Sequence, residues 1–400
     1  MSIHPELEWK RLTPKGAHHF FGYYDRCAWN HDQTLHLTLK VPQRDRLPAP
    51  GETAEIGTVN SNGIYTPLTT TRAWCHQQGS MTLWLKHRQD CFIYNDFDET
   101  SGKLIARIYR LGHGIDGTYE RPIYAISPDG RWGASLNFAR IPRRGYTYAD
   151  ALLPREYWPD LDNDGIFRVD LHTGETRLLV PFRKMFELHP TPYTLEDMYV
   201  WLNHIIFNCD GSRLLWLLRH CNNTSEPFPW HTHMFTVGIN GEDLRCPLPE
   251  FYWNGMISHQ IWGRTPHEIL IDARWGGKNH DCVVFDEREL PLRAQRLSSG
   301  MGPMAHLVFS PDGKWMLADT YPDGQSRQRL ALINSETGAI TRLGKFHHCQ
   351  SAKTIVDVRC DLHPRWSPDG RIVTVDSIHD GETAIYMLDV GDIIDKIKQL

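Results

Sequence analysis

The chain repeats a strand–turn–strand unit, and this repetition constrains its fold more than any other feature. Three copies carry the turn sequence SPDG, in YAISPDGRWGASLNF, LVFSPDGKWMLADTY and PRWSPDGRIVTVDS. Proline fixes φ for the first central residue of a turn, aspartate accepts local hydrogen bonds, and glycine adopts the left-handed conformation. Each copy is therefore predicted to be a β-hairpin.

Less regular copies extend this pattern along most of the chain. They occupy residues 28–40, 207–219 and 261–274, and residues 81–96 keep only the apolar pattern. A second kind of hairpin follows several units, in FRVDLHTGETRLL, ALINSETGAITRLG and DETSGKLIARIYR. Each unit is therefore predicted to form four short antiparallel strands. The units recur every roughly 45 to 80 residues, which is the spacing of propeller blades with loop insertions.

The predicted fold is all-β: a seven-bladed β-propeller of four-stranded antiparallel blades, occupying residues 1–400 as one domain. The last unit ends with the strand AIYMLDV and lacks an outer strand. The N-terminal segment EWKRLTP is expected to supply that strand and close the ring, because closure removes exposed sheet edges. Six and eight blades are the alternatives, since the second unit is weak and the region 140–200 is long.

Composition excludes several classes of partner. The formal net charge of -5 gives no basic field, and no Lys/Arg stripe alternates with aromatics, so nucleic acid is not an expected partner. Neither a run of about 18 apolar residues nor a signal-peptide pattern is present, so no membrane association or secretion is predicted. The nine cysteines form no CxxC pair, which indicates reduced thiols and a cytoplasmic location. The sequence makes no prediction of oligomeric state.

A histidine stands seven residues before the turn position in four of the units: His204, His259, His306 and His363. The same phase on neighbouring blades should bring the four imidazoles together near the mouth of the central channel. One structural device per repeat is the alternative, but convergence on one axis favours a functional site. Strand alternation further predicts that His306, Val308 and Ser310 share one face.

Charged residues beside the last histidine indicate the kind of ligand. Asp361 lies two residues before His363, so an oxygen and a nitrogen donor can serve one divalent cation. Arg359 and Arg365 flank this pair and are predicted substrate-binding residues. A cation beside histidine suits an acidic substrate, because a carboxylate must be neutralised before the adjacent carbon loses a proton. The combination points to β-elimination on uronic acids.

The order and spacing of His259, His306 and the segment Asp361-Leu362-His363-Pro364 resemble those of the oligogalacturonate lyases, seven-bladed propellers that cleave short uronate oligosaccharides by β-elimination. The resemblance implies that His259 is the general base and that His306 and His363 bind manganese. That family has a second histidine where Asp361 stands, and a glutamine ligand where this chain has Val358 and Arg359. A divalent cation, with Mn²⁺ as the implied metal, is the expected cofactor at His306, His363 and Asp361.

The N-terminal units resemble the ulvan lyases, propeller enzymes that act on uronate polysaccharides with His, Tyr and Arg and without a catalytic metal. The residues that carry this resemblance are His18, His19, Tyr23 and Tyr24 in HHFFGYYDRCAW, and His76, Gln77 and Gln78 in WCHQQGS. Tyr24 is the candidate acid for the leaving oxygen, and His76 and Gln78 are candidate substrate ligands. Core packing of the first blade is the alternative for the aromatic residues.

Two further residues are assigned to the site. Arg219, which precedes His220 at the end of the strand LLWLLRH, is a candidate catalytic contact to a carboxylate, with a solvated strand end as the alternative. His204 is assigned to substrate binding, with a structural role as the alternative.

The function predicted from these residues is a lyase that cleaves an acidic, uronate-containing oligosaccharide by β-elimination with the help of a metal. One alternative is a non-catalytic propeller that binds sugar or assists assembly in polysaccharide metabolism, with structural histidines. A protein-interaction scaffold is a third class, and it predicts an apolar or charged patch on one face.

Overall fold

The strands of this computed structural model form seven separate antiparallel sheets, which confirms the predicted seven-bladed β-propeller. The structure describes residues 7–141, 146–151, 159–188, 198–222, 231–248, 257–273, 281–289, 293–298, 304–349 and 356–398. Each sheet comes from consecutive strands, apart from one sheet that also takes a strand from the N-terminal end.

The first three blades follow the N-terminal strand β1 (Lys10–Arg11). The first blade consists of β2 (His18–Phe20), β3 (Leu35–Val41), β4 (Ala54–Asn60) and β5 (Tyr65–Thr71). The second consists of β6 (Leu83–Leu85), β7 (Arg88–Asp98), β8 (Lys103–Arg110) and β9 (Gly114–Tyr119). The third consists of β10 (Ala125–Ile126), β11 (Trp132–Ser135), β12 (Gly165–Asp170) and β13 (Thr176–Pro181).

The fourth and fifth blades continue in chain order. The fourth consists of β14 (Met198–Phe207), β15 (Arg213–Asn222) and β16 (His231–Gly238). Within the described residues, a bridge between Thr236 and Arg245 stands where its fourth strand is expected. The fifth consists of β17 (Ile257–Trp262), β18 (Glu268–Ala273), β19 (Asp281–Asp286) and β20 (Ala294–Ser298).

The last two blades complete the ring. The sixth consists of β21 (Met304–Phe309), β22 (Trp315–Thr320), β23 (Arg327–Asn334) and β24 (Ile340–His347). The seventh consists of β25 (Arg365–Trp366), β26 (Ile372–Ser377), β27 (Ala384–Asp389) and β1. The inner strands β10, β14, β17 and β21 contact one another in that order, which places the first strand of these sheets nearest the axis.

The N-terminal segment closes the ring, as predicted. β1 pairs with β27, with Lys10 opposite Met387 and Arg11 opposite Tyr386. The pairing continues at the next residue, where the Leu12 amide donates to the Ile385 carbonyl at 2.8 Å. The outer edge of the last blade is therefore covered by β1, and the N-terminal strand and the last blade stabilise each other.

The SPDG turns form through the local contacts that their sequence predicts. In the sixth blade the Gly313 amide donates to the Ser310 carbonyl at 2.9 Å, and Gly313 has a φ of 70°. Asp312 accepts hydrogen bonds from the Ser310 hydroxyl at 2.6 Å and from the Lys314 amide at 3.1 Å. Because glycine alone adopts this φ without strain, the turn fixes the phase of both flanking strands.

The inner strands depart from regular alternation at the histidines. In β14, β17 and β21 the pairing with the next strand shifts register around His204, His259 and His306. His204, His259 and His363 have left-handed φ values of 55°, 53° and 43°. A bulge adds an unpaired residue and re-aims its side chain, so the strict alternation predicted from the sequence does not run through the histidines.

The core lies between the faces of neighbouring blades. For example, Leu215 and Leu217 of β15 pack with Trp262 of β17 and with Ile269 and Ile271 of β18. All five side chains are almost completely buried. Burial of these apolar faces stabilises the ring and fixes where each inner strand stands around the axis.

Helices are few and short. Those within the described residues are α1 (Phe182–Leu188), α2 (Gly391–Lys398) and the 3-10 turns Phe138–Arg140 and Val356–Val358. Among the residues that the structure describes, no helix is long and apolar enough to cross a membrane. All nine cysteines lie in described ranges, and none forms a disulfide bond.

Candidate functional site

The four phased histidines form a continuous chain of rings at the centre of the propeller. Ring centroids are 6.2 Å apart for His204 and His259, 4.5 Å for His259 and His306, and 4.3 Å for His306 and His363. All four side chains are buried. The common phase on adjacent blades thus brings these imidazoles into contact, as their spacing indicated.

Two tyrosines from the first blade complete the cluster. Between β2 and the bridge at Trp29, the chain leaves its sheet and carries Tyr23 and Tyr24 to the histidines. The Tyr23 ring lies 5.1 Å from His363, and the Tyr24 ring lies 4.9 Å from His306. Both phenols are buried, and burial raises their pKa values well above the ordinary value, so both are protonated at neutral pH.

Arg26 is a buried residue of this segment that the sequence reasoning missed. It stands seven residues before Gln33, whose φ of 59° is left-handed like those of the turn glycines Gly130, Gly211, Gly313 and Gly370. Arg26 therefore occupies in the first blade the position that histidine holds in the last four. Its guanidinium donates to the carbonyl of Tyr124. Counting back from the NHDQ turn would have found it.

His306, Asp361 and His363 form the candidate metal centre. One ligand atom of each lies within 4.8 Å of the others. Nε2 of His363 is buried and has no hydrogen-bond partner among the described residues. Two imidazole nitrogens and a carboxylate oxygen suit Mn²⁺, Fe²⁺ or Zn²⁺. The residues present therefore fit a divalent transition metal.

Asp319 orients two histidines of this centre through hydrogen bonds, and no sequence motif pointed to it. Its carboxylate lies 3.0 Å from Nδ1 of His306 and accepts the His306 amide at 2.7 Å. It also accepts the His363 amide at 3.2 Å. A carboxylate on the far ring nitrogen fixes the tautomer and the direction of a metal-binding histidine. One buried carboxylate thus positions two histidines from neighbouring blades.

Arg359 neutralises the third donor of the candidate centre. Its guanidinium makes a two-point ion pair with Asp361, at 2.5 Å and 2.8 Å. Burial alone would raise the pKa of Asp361, but Arg359 outweighs it and lowers the pKa below its ordinary value. The same guanidinium lies 4.1 Å from the centre of the Tyr321 ring.

His259 is bonded to Tyr321, a residue that the sequence reasoning also missed. The Tyr321 hydroxyl lies 3.2 Å from Nε2 of His259. Burial lowers the pKa of His259 well below its ordinary value, and the neighbouring His306 and His204 lower it further. His259 is therefore neutral at pH 7, with a lone pair able to take a proton. Tyr321 is only partly buried, so it is the more accessible of the two.

The other predicted residues fall into two groups. His204 accepts or donates a 2.9 Å hydrogen bond with the Tyr23 hydroxyl, and Gln78 donates to the Tyr124 hydroxyl, which also accepts the His204 amide at 3.0 Å. Burial lowers the pKa of His204 and the positive charge of Arg219 lowers it further, so these residues adjoin the cluster. Their roles in binding or catalysis stay predictions.

Two predicted substrate ligands have internal contacts. Nε2 of His76 donates to the Arg46 carbonyl at 2.7 Å. The fully buried Arg365 pairs with Asp376 at 2.6 Å and donates to the Gly22 carbonyl at 3.2 Å, at the start of the segment that carries the tyrosines. His76 thus supports neighbouring backbone, whereas Arg365 adjoins the cluster: burial lowers the pKa of His363, and the charges of His306 and Arg365 lower it further.

Comparison with known proteins adds information at the level of the fold. No family model and no curated protein sequence matches the chain. An oligogalacturonate lyase from Vibrio parahaemolyticus matches 97% of this chain and 94% of its own, at 16% identity and a TM-score of 0.63. An oligogalacturonate lyase in complex with manganese matches 98% of both chains, at 17% identity and a TM-score of 0.66.

A third solved structure is similar to this chain but has a different activity. The tricorn protease matches 96% of this chain and 35% of its own, at 10% identity and a TM-score of 0.53. At such identities these likenesses show the β-propeller fold, which carries many unrelated chemistries. Function must therefore be argued from the side chains of the site.

Proposed function

We propose that this protein is a lyase that cleaves a uronate-containing oligosaccharide by β-elimination. The observation that carries the proposal is the contact between a neutral, buried His259 and a candidate metal centre, with ring centroids of His259 and His306 4.5 Å apart. Abstraction of a proton beside a carboxylate needs a base and a neighbouring positive charge. His259 would be the base, and a divalent cation held at the candidate centre would supply the charge. The likeness to two oligogalacturonate lyases across almost the whole chain supports the same reaction class.

The substrate carboxylate is assigned to the side of the site that holds His306, Asp361 and His363. A divalent cation bound there would neutralise the carboxylate and so acidify the adjacent C5–H bond. Arg359 also lies beside this position, where its charge is offset by the ion pair with Asp361. Arg219 contributes positive charge on the side of His204 and His259.

His259 is assigned as the general base that takes the C5 proton. Its lowered pKa keeps it unprotonated at neutral pH, and Tyr321 holds its Nε2 in a fixed direction. The leaving oxygen needs a proton donor. Tyr24 is the donor that the sequence predicts. The Tyr24 hydroxyl is buried without a hydrogen-bond partner among the described residues, and the side chain is 0% exposed.

The proposal is tested by the ultraviolet absorbance of the C4=C5 double bond that β-elimination creates. The protein is assayed on a panel of acidic oligosaccharides, with added Mn²⁺ and with a chelator. His259→Asn is expected to lower kcat/KM by roughly 10²- to 10⁴-fold. Asparagine is chosen because it tolerates the left-handed φ of 53° at this position.

Gln33→Asn is the matched control, because Gln33 also has a left-handed φ, of 59°, but lies in the turn of the first blade. It should leave the rate unchanged. If no oligosaccharide gave an unsaturated product with or without Mn²⁺, the lyase proposal would be wrong, and a non-catalytic sugar-binding propeller would be the better account.

A further inference from the structure

Asp376 is the counterpart of Asp319 in the seventh blade. Each aspartate lies on the second strand of its blade, six residues after the glycine of an SPDG turn. Asp319 bonds the histidine of its own blade and the amide of His363 in the next blade. Asp376 likewise pairs with Arg365 of its own blade and bonds backbone of the first blade. The shared position indicates a shared role in joining blades at the centre of the ring.

Arg365 and Asp376 together hold the backbone of the segment that leads to the two clustered tyrosines. The Gly22 carbonyl accepts from the Arg365 guanidinium at 3.2 Å. The Asp376 carboxylate accepts the amides of Phe21 and Gly22, each at 3.4 Å. The guanidinium and the carboxylate bond each other at 2.6 Å and 3.2 Å, and both side chains are buried. The backbone of Gly22 is therefore held through its donor and its acceptor at once.

The Gly22 backbone also accepts a hydrogen bond from the imidazole of His363, a ligand of the candidate metal centre. Nε2 of His363 is buried and has no hydrogen-bond partner among the described residues, so Nδ1 is the nitrogen that faces Gly22. A backbone carbonyl at one ring nitrogen fixes the tautomer of a metal-binding histidine and directs its other nitrogen at the metal. Asp319 acts in the same way on Nδ1 of His306. Both imidazoles thus keep Nε2 for the cation.

The geometry points to the Arg365–Asp376 pair as a positioning device of the metal centre: it fixes Gly22, whose carbonyl sets the tautomer and the direction of the His363 imidazole. The same contacts fix the segment whose next two residues, both tyrosines, pack against the histidine ligands. In this role Arg365 acts without touching a substrate, in keeping with its 0% exposed side chain. The inference rests on the metal centre of the proposed function, and it is independent of the reaction that the centre serves.

The deciding experiment measures Mn²⁺ affinity by isothermal titration, without any substrate. Asp376→Asn is expected to weaken binding by roughly 10-fold, because the neutral amide pairs poorly with Arg365 and loosens Gly22. Glu287→Gln is the matched control, since Glu287 is a buried carboxylate that pairs with Arg213 at 2.6 Å between the fourth and fifth blades. Both variants should lower the melting temperature, whereas only Asp376→Asn should lose affinity for Mn²⁺.

A double variant keeps the test decisive if Asp376→Asn fails to fold. Arg365→Met combined with Asp376→Leu removes both charges, so no buried charge is left without its partner. This variant is expected to fold, as seen by thermal unfolding, and to bind Mn²⁺ roughly 10-fold more weakly than the wild type. Wild-type affinity in either folded variant would overturn the inference and leave the lyase proposal intact. Absence of Mn²⁺ binding by the wild type would overturn the inference together with the metal-assisted form of the proposed function.

Gly22 itself supplies an independent test. It has a φ of 130°, and a Cβ added there would lie 2.7 Å from the carbonyl carbon of Gln78, so Gly22→Ala must shift this backbone. Its Mn²⁺ affinity should fall as in Asp376→Asn. Gly16→Ala is the control, because Gly16 also has a left-handed φ, of 92°, but no atom of the described residues lies within 4 Å of the added Cβ. Wild-type affinity in a folded Gly22→Ala would likewise show that Gly22 does not position the metal centre.

Discussion

At the scale of single residues, Asp319 holds two blades of the site together. It lies on β22 and bonds both the ring and the amide of His306, on β21 of the same blade. It also bonds the amide of His363, which precedes β25 of the next blade. A buried carboxylate that satisfies three donors stabilises their relative positions, because each donor would otherwise lose its hydrogen bond in a dry interior.

Asp319→Asn is expected to weaken Mn²⁺ binding by about 10- to 100-fold. The neutral asparagine side chain replaces the carboxylate that accepts from Nδ1 of His306, so the tautomer and the direction of this imidazole are no longer fixed. Isothermal titration with Mn²⁺ measures the affinity directly, without any substrate. Asp323→Asn is the control, since Asp323 lies shortly after β22 and pairs instead with Arg327 and Arg329. Equal affinity in Asp319→Asn and the wild type would contradict this role.

The sequence indicated the four histidines because they share one phase in a repeat. It gave no comparable signal for Asp319 or Tyr321, which lie at the ends of second strands or in the loops after them. Their contacts join residues 13 and 62 positions apart, so no local pattern contains both partners. Arg26 had the right phase, but its turn has Gln33 where Gly130, Gly211, Gly313 and Gly370 stand in four other copies.

At the scale of elements, ring closure depends on the N-terminal strand β1. Leu12 follows β1, is 1% exposed, and packs in the core of the first blade. Beside it, Arg11 pairs with Asp380 at 2.5 Å and Glu382 at 2.8 Å, but these partners are partly exposed and contribute less. Apolar burial therefore dominates the closure.

Leu12→Ala is expected to lower the free energy of unfolding by roughly 2–5 kcal/mol, because it leaves a cavity where the two ends of the chain meet. Urea denaturation followed by tryptophan fluorescence measures the change. Lys10→Ala tests the same strand at an exposed position and should cost less than about 1 kcal/mol. Similar losses in both variants would show that closure does not depend on the buried leucine.

At the scale of the whole molecule, buried neutral histidines make stability depend on pH. Burial lowers the pKa of His19 from 6.5 to about 4 and that of His76 from 6.5 to about 3. Below pH 6.5 the unfolded chain takes up protons that the folded chain resists. The stabilising contribution is therefore complete above pH 6.5 and is lost as the pH falls towards 4 and 3.

The free energy of unfolding is thus expected to be level above pH 6.5 and to fall below it, by on the order of 1 kcal/mol per histidine for each pH unit. Urea titrations at several pH values measure this slope. His19→Phe should reduce it while keeping the edge contact with Tyr65, whose ring lies 4.9 Å away. The exposed His113→Gln serves as control, and an unchanged slope in His19→Phe would count against the explanation.

The sequence by itself predicted the hairpins and the closing strand and favoured seven blades over six or eight, because turn chemistry and strand alternation are local and recur in most units. It also placed histidine at one phase of four blades, which sufficed to bring the imidazoles together. Only the tertiary structure decided which groups touch them. Asp319, Tyr321 and the segment carrying Tyr23 and Tyr24 reach the histidines through space, across bulges that turn the side chains from the regular alternation. Such contacts depend on the packing of whole blades, which no stretch of sequence encodes alone.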